Sequence, residues 1–287
     1  MSQVISASQL KDIMKRSGEN GCEGLCIFDV RFSLQDKEYG QTAYQSGHIP
    51  GAVYLNLDSD LSSAAKVHGG RHPLPEIEHL TRTLQNAGLN QSDRVVVYDD
   101  ASNTYAGRLW WLLRYLGFKR VQILDGGLQA WQAESHPLTQ THTSLAKGDF
   151  KAKLQPERVI SEADLKLSLN THQTKILDAR SPERYRGESE PIDLKAGHIP
   201  GALNRPFKDN LNAQGLLKPI DELQQEFSKL GLKPDDELIV YCGSGVSANL
   251  LSIALIESGY SEPQLYVGSW SDWSSRPENP IHIGPNP

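Results

Sequence analysis

The chain has 287 residues, more than the roughly 100–200 of a usual single domain, so two domains are expected. Hydrophobic residues make up 38% and charged residues 22%, the balance of a globular protein with a real core, and no apolar run approaches the roughly 18 residues that cross a membrane. A formal charge of −6 disfavours nucleic acid and anionic membranes as partners, and three cysteines, an odd number, make no disulfide framework.

In chain order, the start "MSQVISASQLKDIMKR" has a helical pattern but no basic start followed by an apolar stretch and cleavage site, which argues against secretion. A reducing, cytoplasmic setting is therefore expected, where a thiol stays free. "CEGLC" at 22–26 has no second Cys or His pair at zinc spacing. Cys26 enters an apolar strand and is expected to be buried, and Cys22 is read as an incidental thiol. The strand pattern "CIFDVR" at 26–31 ends in an acid, and "GHIPGA" follows at 47–52. "RVVVYDD" at 94–100 is a second strand, "LWWLLRYLGF" at 109–118 a helix, and "QILDGGLQAW" at 122–131 a strand running into a turn. Residues 135–154 are polar and without period, a linker.

The same features then return in the same order. "KILDAR" stands at 175–180, an identical "GHIPGA" at 197–202, "ELIVYCG" at 237–243, "LLSIALIESGY" at 250–260 and "QLYVGSWSDW" at 264–273. The protein is two copies of one α/β module, residues 1–134 and 155–287. Short β-branched runs alternating with longer periodic segments predict, in each copy, a parallel sheet with helices on both faces. Such sheets carry their sites at the carboxyl ends of strands.

Cys242 stands at that place, between "ELIVY" and a helix, followed by Gly243, Ser244, Gly245, Val246 and Ser247. The two glycines permit backbone conformations in which successive N–H groups turn toward the sulfur, and the helix adds its positive end. Both favour the thiolate, a nucleophile. Ser244 and Ser247 offer hydroxyl donors. A small buried hydrophobe is the plainer reading of a free cysteine. Against it, the other copy has Asp99 in the same slot, as expected when one of two duplicated sites keeps the chemistry.

Both "GHIPGA" segments, "VVVYDD", "YAGRLWWLLRYLGF", "LDGGLQAW", "LDARSPERYRG", "CGSGVSA" and "GSWSDW" together resemble the two-domain rhodanese-type sulfurtransferases, which act on thiosulfate or 3-mercaptopyruvate. The likeness covers roughly residues 5–280. It implies two tandem rhodanese-like domains, the second catalytic, with Cys242 accepting sulfur as a persulfide and passing it to cyanide, a thiol or a thiol-carrying protein. The sulfur rides on the protein, so neither cofactor nor metal is implied. Arg184 matches the family arginine that binds the donor's anionic end, with residues 243–247 completing the donor site. "CGSGV" is the mercaptopyruvate-type loop, yet Ile192 in "EPID" stands where such enzymes usually carry a further arginine. Lys195 or Arg186 could compensate. Mercaptopyruvate is favoured slightly, with thiosulfate as the alternative main donor.

Around the site, "GGRHPLP" at 69–75 places Arg71 and His72 either in a cleft-facing loop or in a surface turn. Tyr105 lines the cleft or packs under a helix start, and Trp270 is expected to wall the site. His48, His198, Asp29, Arg31, Asp178 and Arg180 recur in both copies and are read as scaffold, and Trp273 and Trp131 as core. A cysteine phosphatase would need an arginine six residues after its nucleophile, and Ala248 stands there. A non-catalytic binding module is the remaining alternative.

Overall fold

The computed structural model describes residues 2–16, 24–169 and 174–287, so Cys22 lies outside the described residues. The chain forms two compact units, residues 1–63 with 75–155, and residues 64–74 with 156–287. The segment 64–74, which the repeat pattern places in the first copy, thus belongs to the second unit.

The first unit runs β1 (Val4–Ile5), α1 (Ala7–Arg16), β2 (Leu25–Asp29), α2 (Tyr39–Ser46), β3 (Ala52–Tyr54), α3 (Ile77–Asn86), β4 (Arg94–Tyr98), α4 (Thr104–Tyr115), β5 (Val121–Leu124) and α5 (Gly127–Ala133). Its strands pair in parallel in the order β1-β5-β4-β2-β3. The run Val95–Val97 explains why β4 is central: β-branched side chains suit a pleated surface covered on both faces, and all three are fully buried. α4 is apolar over most of its circumference, so Leu109, Trp110, Trp111, Leu112 and Leu113 all vanish from solvent. Residues 137–155 carry no helix or strand, yet they run against this unit: Phe150 meets Phe118 edge-on at 5.8 Å, and the amides of Lys153 and Gln155 bond the carbonyls of Leu116 and Tyr115.

The second unit repeats the plan with α6 (Glu162–Ser168), β6 (Thr174–Asp178), α7 (Pro182–Tyr185), β7 (Ala202–Asn204), α8 (Ile220–Lys229), β8 (Glu237–Tyr241), α9 (Ala248–Glu257), β9 (Gln264–Leu265) and α10 (Ser269–Trp273). The parallel order is β7-β6-β8-β9, and a lone parallel bridge from Val159 to Leu265 stands where β1 stands in the first unit.

The recurring residues are scaffold in both units. Arg31 clamps Asp29 and reaches the carbonyl of Gly47; Arg180 clamps Asp178 and reaches the carbonyl of Gly197. Tyr98 and Tyr241 each offer a hydroxyl oxygen to the amide of Ile49 or Ile199. His48 stacks on Tyr44 and His198 on Tyr185, each with Nδ1 at that tyrosine's carbonyl, which pins the "GHIPGA" turn. The indoles of Trp131 and Trp273 are core, donating to Pro137 and Pro280 carbonyls. Cys26 is buried in β2 with its sulfur 3.3 Å from Asp93 Oδ2.

Candidate active site

β8 lies between β6 and β9, and its carboxyl end delivers Cys242 into the turn before α9. The turn is stitched to α10. The Cys242 amide donates to Ser269 Oγ at 3.1 Å, its carbonyl accepts from the Trp270 amide, and the Gly243 carbonyl accepts from the Ser271 amide. Ser269 holds this place in the left-handed region at φ 53°, where the first unit has Gly127. The hydroxyl hydrogen bond is what a glycine there could not supply.

Cys242 is 1% exposed, but its surroundings are polar. Burial pushes the thiol up; the Ser247 hydroxyl and the amides of Ser244, Ala248 and Val246, all directed at the sulfur, outweigh it and hold the thiol below its ordinary value. Hydrogen bonds to the charged form are the stronger kind, so a ring of four donors selects the thiolate. Ala248 is the first residue of α9, which brings the positive end of that helix to the sulfur.

The two glycines serve different ends. Gly245 has φ +71°, and a Cβ there would stand 2.3 Å from the Val267 carbonyl oxygen, so both conformation and space require glycine. Gly243 does not adopt the left-handed region, contrary to the expectation for both. A Cβ on it would come within 3.0 Å of Arg71 Nη2 and 3.4 Å of Arg184 Nη1. It is small because two guanidiniums close over it.

Several predicted residues meet here. Ser244 sends its amide to the sulfur, while its hydroxyl oxygen lies 2.8 Å from His72 Nδ1 in a hydrogen bond, and both side chains are buried. Arg184, on α7, bonds Glu190 through Nε and Nη2 and Asp193 through Nη2. Arg71 bonds the other oxygen of Asp193. The Ile192 side chain is 47% exposed, and Arg186 is engaged with Glu188, so the second arginine beside the cysteine turn is Arg71 rather than a residue of the "EPID" segment. Lys195 contributes its carbonyl, which accepts the Trp270 indole N–H. Ser247 also lines a cavity of about 430 Å³ with Arg184, Phe207, Lys208 and Ser181, so the group that touches the sulfur borders open space.

Trp270 is a correction. Its ring is fully buried, with the Arg180 guanidinium 4.4 Å from its centroid, and it packs in the core instead of walling an opening. Tyr105 belongs to the first unit, at the start of α4, with its ring edge-on to Phe32 and its amide bonded to Asp99. Asp193, which joins the two arginines, escaped the sequence reading. Its only signal was its place beside the missing arginine.

Residues 6–134 and 161–276 both match the family described as "Rhodanese-like domain". The chain belongs to the rhodanese-type sulfurtransferases. It is 44% identical over 285 residues to a Pseudomonas aeruginosa protein described as a probable 3-mercaptopyruvate sulfurtransferase, covering 98% of this chain and all of that one. It is 30% identical over 275 residues to thiosulfate sulfurtransferase of Gallus gallus, covering 95% and 93% of the two chains. The crystal structure of Escherichia coli SseA, described with the rhodanese fold of 3-mercaptopyruvate sulfotransferases, superimposes with a TM-score of 0.81 at 33% identity, covering 94% of this chain and all of that one. As a rhodanese-type enzyme the protein transfers sulfur from a donor to a thiophilic acceptor. Among the described residues no helix is long and apolar enough to cross a membrane.

Proposed function

We propose that Cys242 carries the sulfur, with 3-mercaptopyruvate as preferred donor and thiosulfate as the second. The observation that supports this most is the ring of four donors around one sulfur, with two arginines closing over the next residue. The thiolate attacks the donor's sulfur, forming an S–S bond as the donor's C–S bond breaks. The bonding pair leaves on carbon as the enolate of pyruvate, which then takes a proton. A thiophile, cyanide or a thiol, attacks the outer sulfur and returns the thiolate. With thiosulfate the leaving group is sulfite. Arg184 and Arg71 hold the donor's anionic end, a role for which planar guanidiniums suit a carboxylate. His72, through Ser244, fixes the loop. A thiolate that must stay reduced between turnovers fits a reducing compartment such as the cytoplasm, and the acceptor there is a small thiol or a thiol-carrying protein.

Weighing the intact protein after incubation with each donor tests the reading. A gain of one sulfur mass is expected in the wild type and not in Cys242→Ala. A mass gain that survives in Cys242→Ala, or none with either donor, would refute it. Side-by-side kcat/KM values rank the donors.

A further inference from the structure

The carboxylate of Asp193 sits between the two arginines and is itself almost sealed, with a side chain 3% exposed. One oxygen takes Arg71 Nη1 and the other takes Arg184 Nη2 at 2.8 Å. Glu190 fixes the turn: it accepts the amides of Ile192 and Asp193, and it also holds Arg184 and Arg180. Three arginines (71, 180 and 184) therefore meet three carboxylates (Asp178, Glu190 and Asp193), and the formal charges cancel before the thiolate is counted. Yet donors remain unspent. Among the described residues, Arg71 Nε is buried with no hydrogen-bond partner, and Arg184 Nη1, which approaches Gly243, makes no hydrogen bond. A buried guanidinium N–H without an acceptor is costly, and here it points to a ligand anion.

We propose that Asp193 is a specificity-determining residue: by yoking Arg71 and Arg184 it leaves a seat with unspent guanidinium N–H donors and no surplus charge, fitted to a monocarboxylate and hostile to a dianion. The inference rests on the reading that the donor's anionic end lies on these arginines. An anion on the free nitrogens lies within a few ångströms of the Asp193 carboxylate, across one guanidinium plane. Each unit of donor charge is repelled by it, so the second charge of thiosulfate is penalised where the single charge of mercaptopyruvate is tolerated. Asp193 acts through the arginines, as a positioning residue, and need not touch the reacting sulfur. The exposed Ile192 beside it supplies no compensating cation.

The experiment compares kcat/KM for thiosulfate and 3-mercaptopyruvate in wild type, Asp193→Asn, Asp193→Glu and Arg184→Ala. Asp193→Asn keeps shape and removes charge. It is expected to move the donor ratio by about tenfold or more toward thiosulfate, since one charge a few ångströms away contributes a factor of about five even when fully screened by water and more when partly buried. The change should lie in KM, and inhibition by inorganic sulfate should strengthen by a similar factor while inhibition by pyruvate changes less. Asp193→Glu keeps the charge and should hold the ratio within about twofold. Turnover of mercaptopyruvate by each variant shows that the loop is intact. If Asp193→Asn alters both donors by one factor, or Asp193→Glu shifts the ratio as far as Asn does, the role given to Asp193 is overturned. If Arg184→Ala leaves both donors unaffected, the arginine seat itself is wrong.

Discussion

Asp99 and Cys242 follow equivalent strands, β4 and β8, and each is fully buried in a ring of main-chain donors. Asp99 accepts the amides of Ala101 and Asn103 on one oxygen and of Tyr105 and Ala106 on the other. Cys242 accepts those of Ser244, Val246 and Ala248, with the Ser247 hydroxyl added. The first loop reaches its helix through two non-glycine residues in the left-handed region, Ser102 and Asn103; the second uses Gly245. Both loops are therefore cradles for a negative charge at a helix start, and the cradle is not what makes an enzyme. In the first unit a carboxylate fills it permanently. In the second the occupant is a sulfur that can gain and lose a second sulfur without leaving its donors.

Disturbing the cradle of the second loop should thus cost chemistry, and the largest loss is expected from its backbone. Gly245→Ala forces a left-handed alanine, about 1–2 kcal/mol of intrinsic strain, and drives a Cβ into the Val267 carbonyl. The turn must move, the amide of Val246 and the hydroxyl of Ser247 go with it, and transfer should fall by about a hundredfold or more, the range seen when oriented donors are lost. Unaltered kinetics would mean that the cradle does not hold the thiolate. A smaller effect is expected from Ser247→Ala, which deletes one hydroxyl donor. Because that donor favours the charged form, its loss raises the thiol's midpoint. The pH profile of iodoacetamide alkylation then shifts toward higher pH, with the rate near neutrality down about tenfold, the worth of one hydrogen bond to a charged group. An unshifted profile would assign the lowered thiol to the amides alone.

The repeat explains why so much could be read in advance. Strand runs such as "RVVVY" and "ELIVY", and turns such as "GHIPGA", are set by neighbours in sequence, so the parallel sheets, the scaffold pairs and the position of Cys242 all follow from local pattern. What escaped depends on residues far apart in the chain. Arg71 and Asp193 are 122 positions apart, and nothing in either segment states that they meet. Nor does the "GGRHPL" stretch at 69–74 announce that it groups with the second unit. Trp270 misled for a related reason: an aromatic at a strand end reads as a wall, but the Arg180 guanidinium offered its face a buried partner. Gly243 looked like a conformational glycine because its real constraint, two guanidiniums arriving from elsewhere, carries no local signature.

The occupant of the first cradle gives the gentlest test. Burial pushes the Asp99 carboxyl up to about 6 from an ordinary 3.8, against the opposing pull of its four amides. In the unfolded chain the group titrates near 3.8, so between roughly pH 4 and pH 6 the folded state holds a proton that the unfolded state has released. The stability this contributes is complete below the unfolded value and is lost as pH rises through the folded one, about 3 kcal/mol in all. Asp99→Asn has no proton to release. The stability difference between wild type and variant should therefore move against the wild type by about that amount between pH 4 and pH 7. Hydrogen exchange of β4 amides reads this in the first unit alone, where whole-chain melting would mix both units. A difference that stays constant across the range would show that the carboxylate is no more burdened folded than unfolded. Sulfur transfer should stay within about twofold of wild type at either pH, since the loop that Asp99 organises carries no thiol.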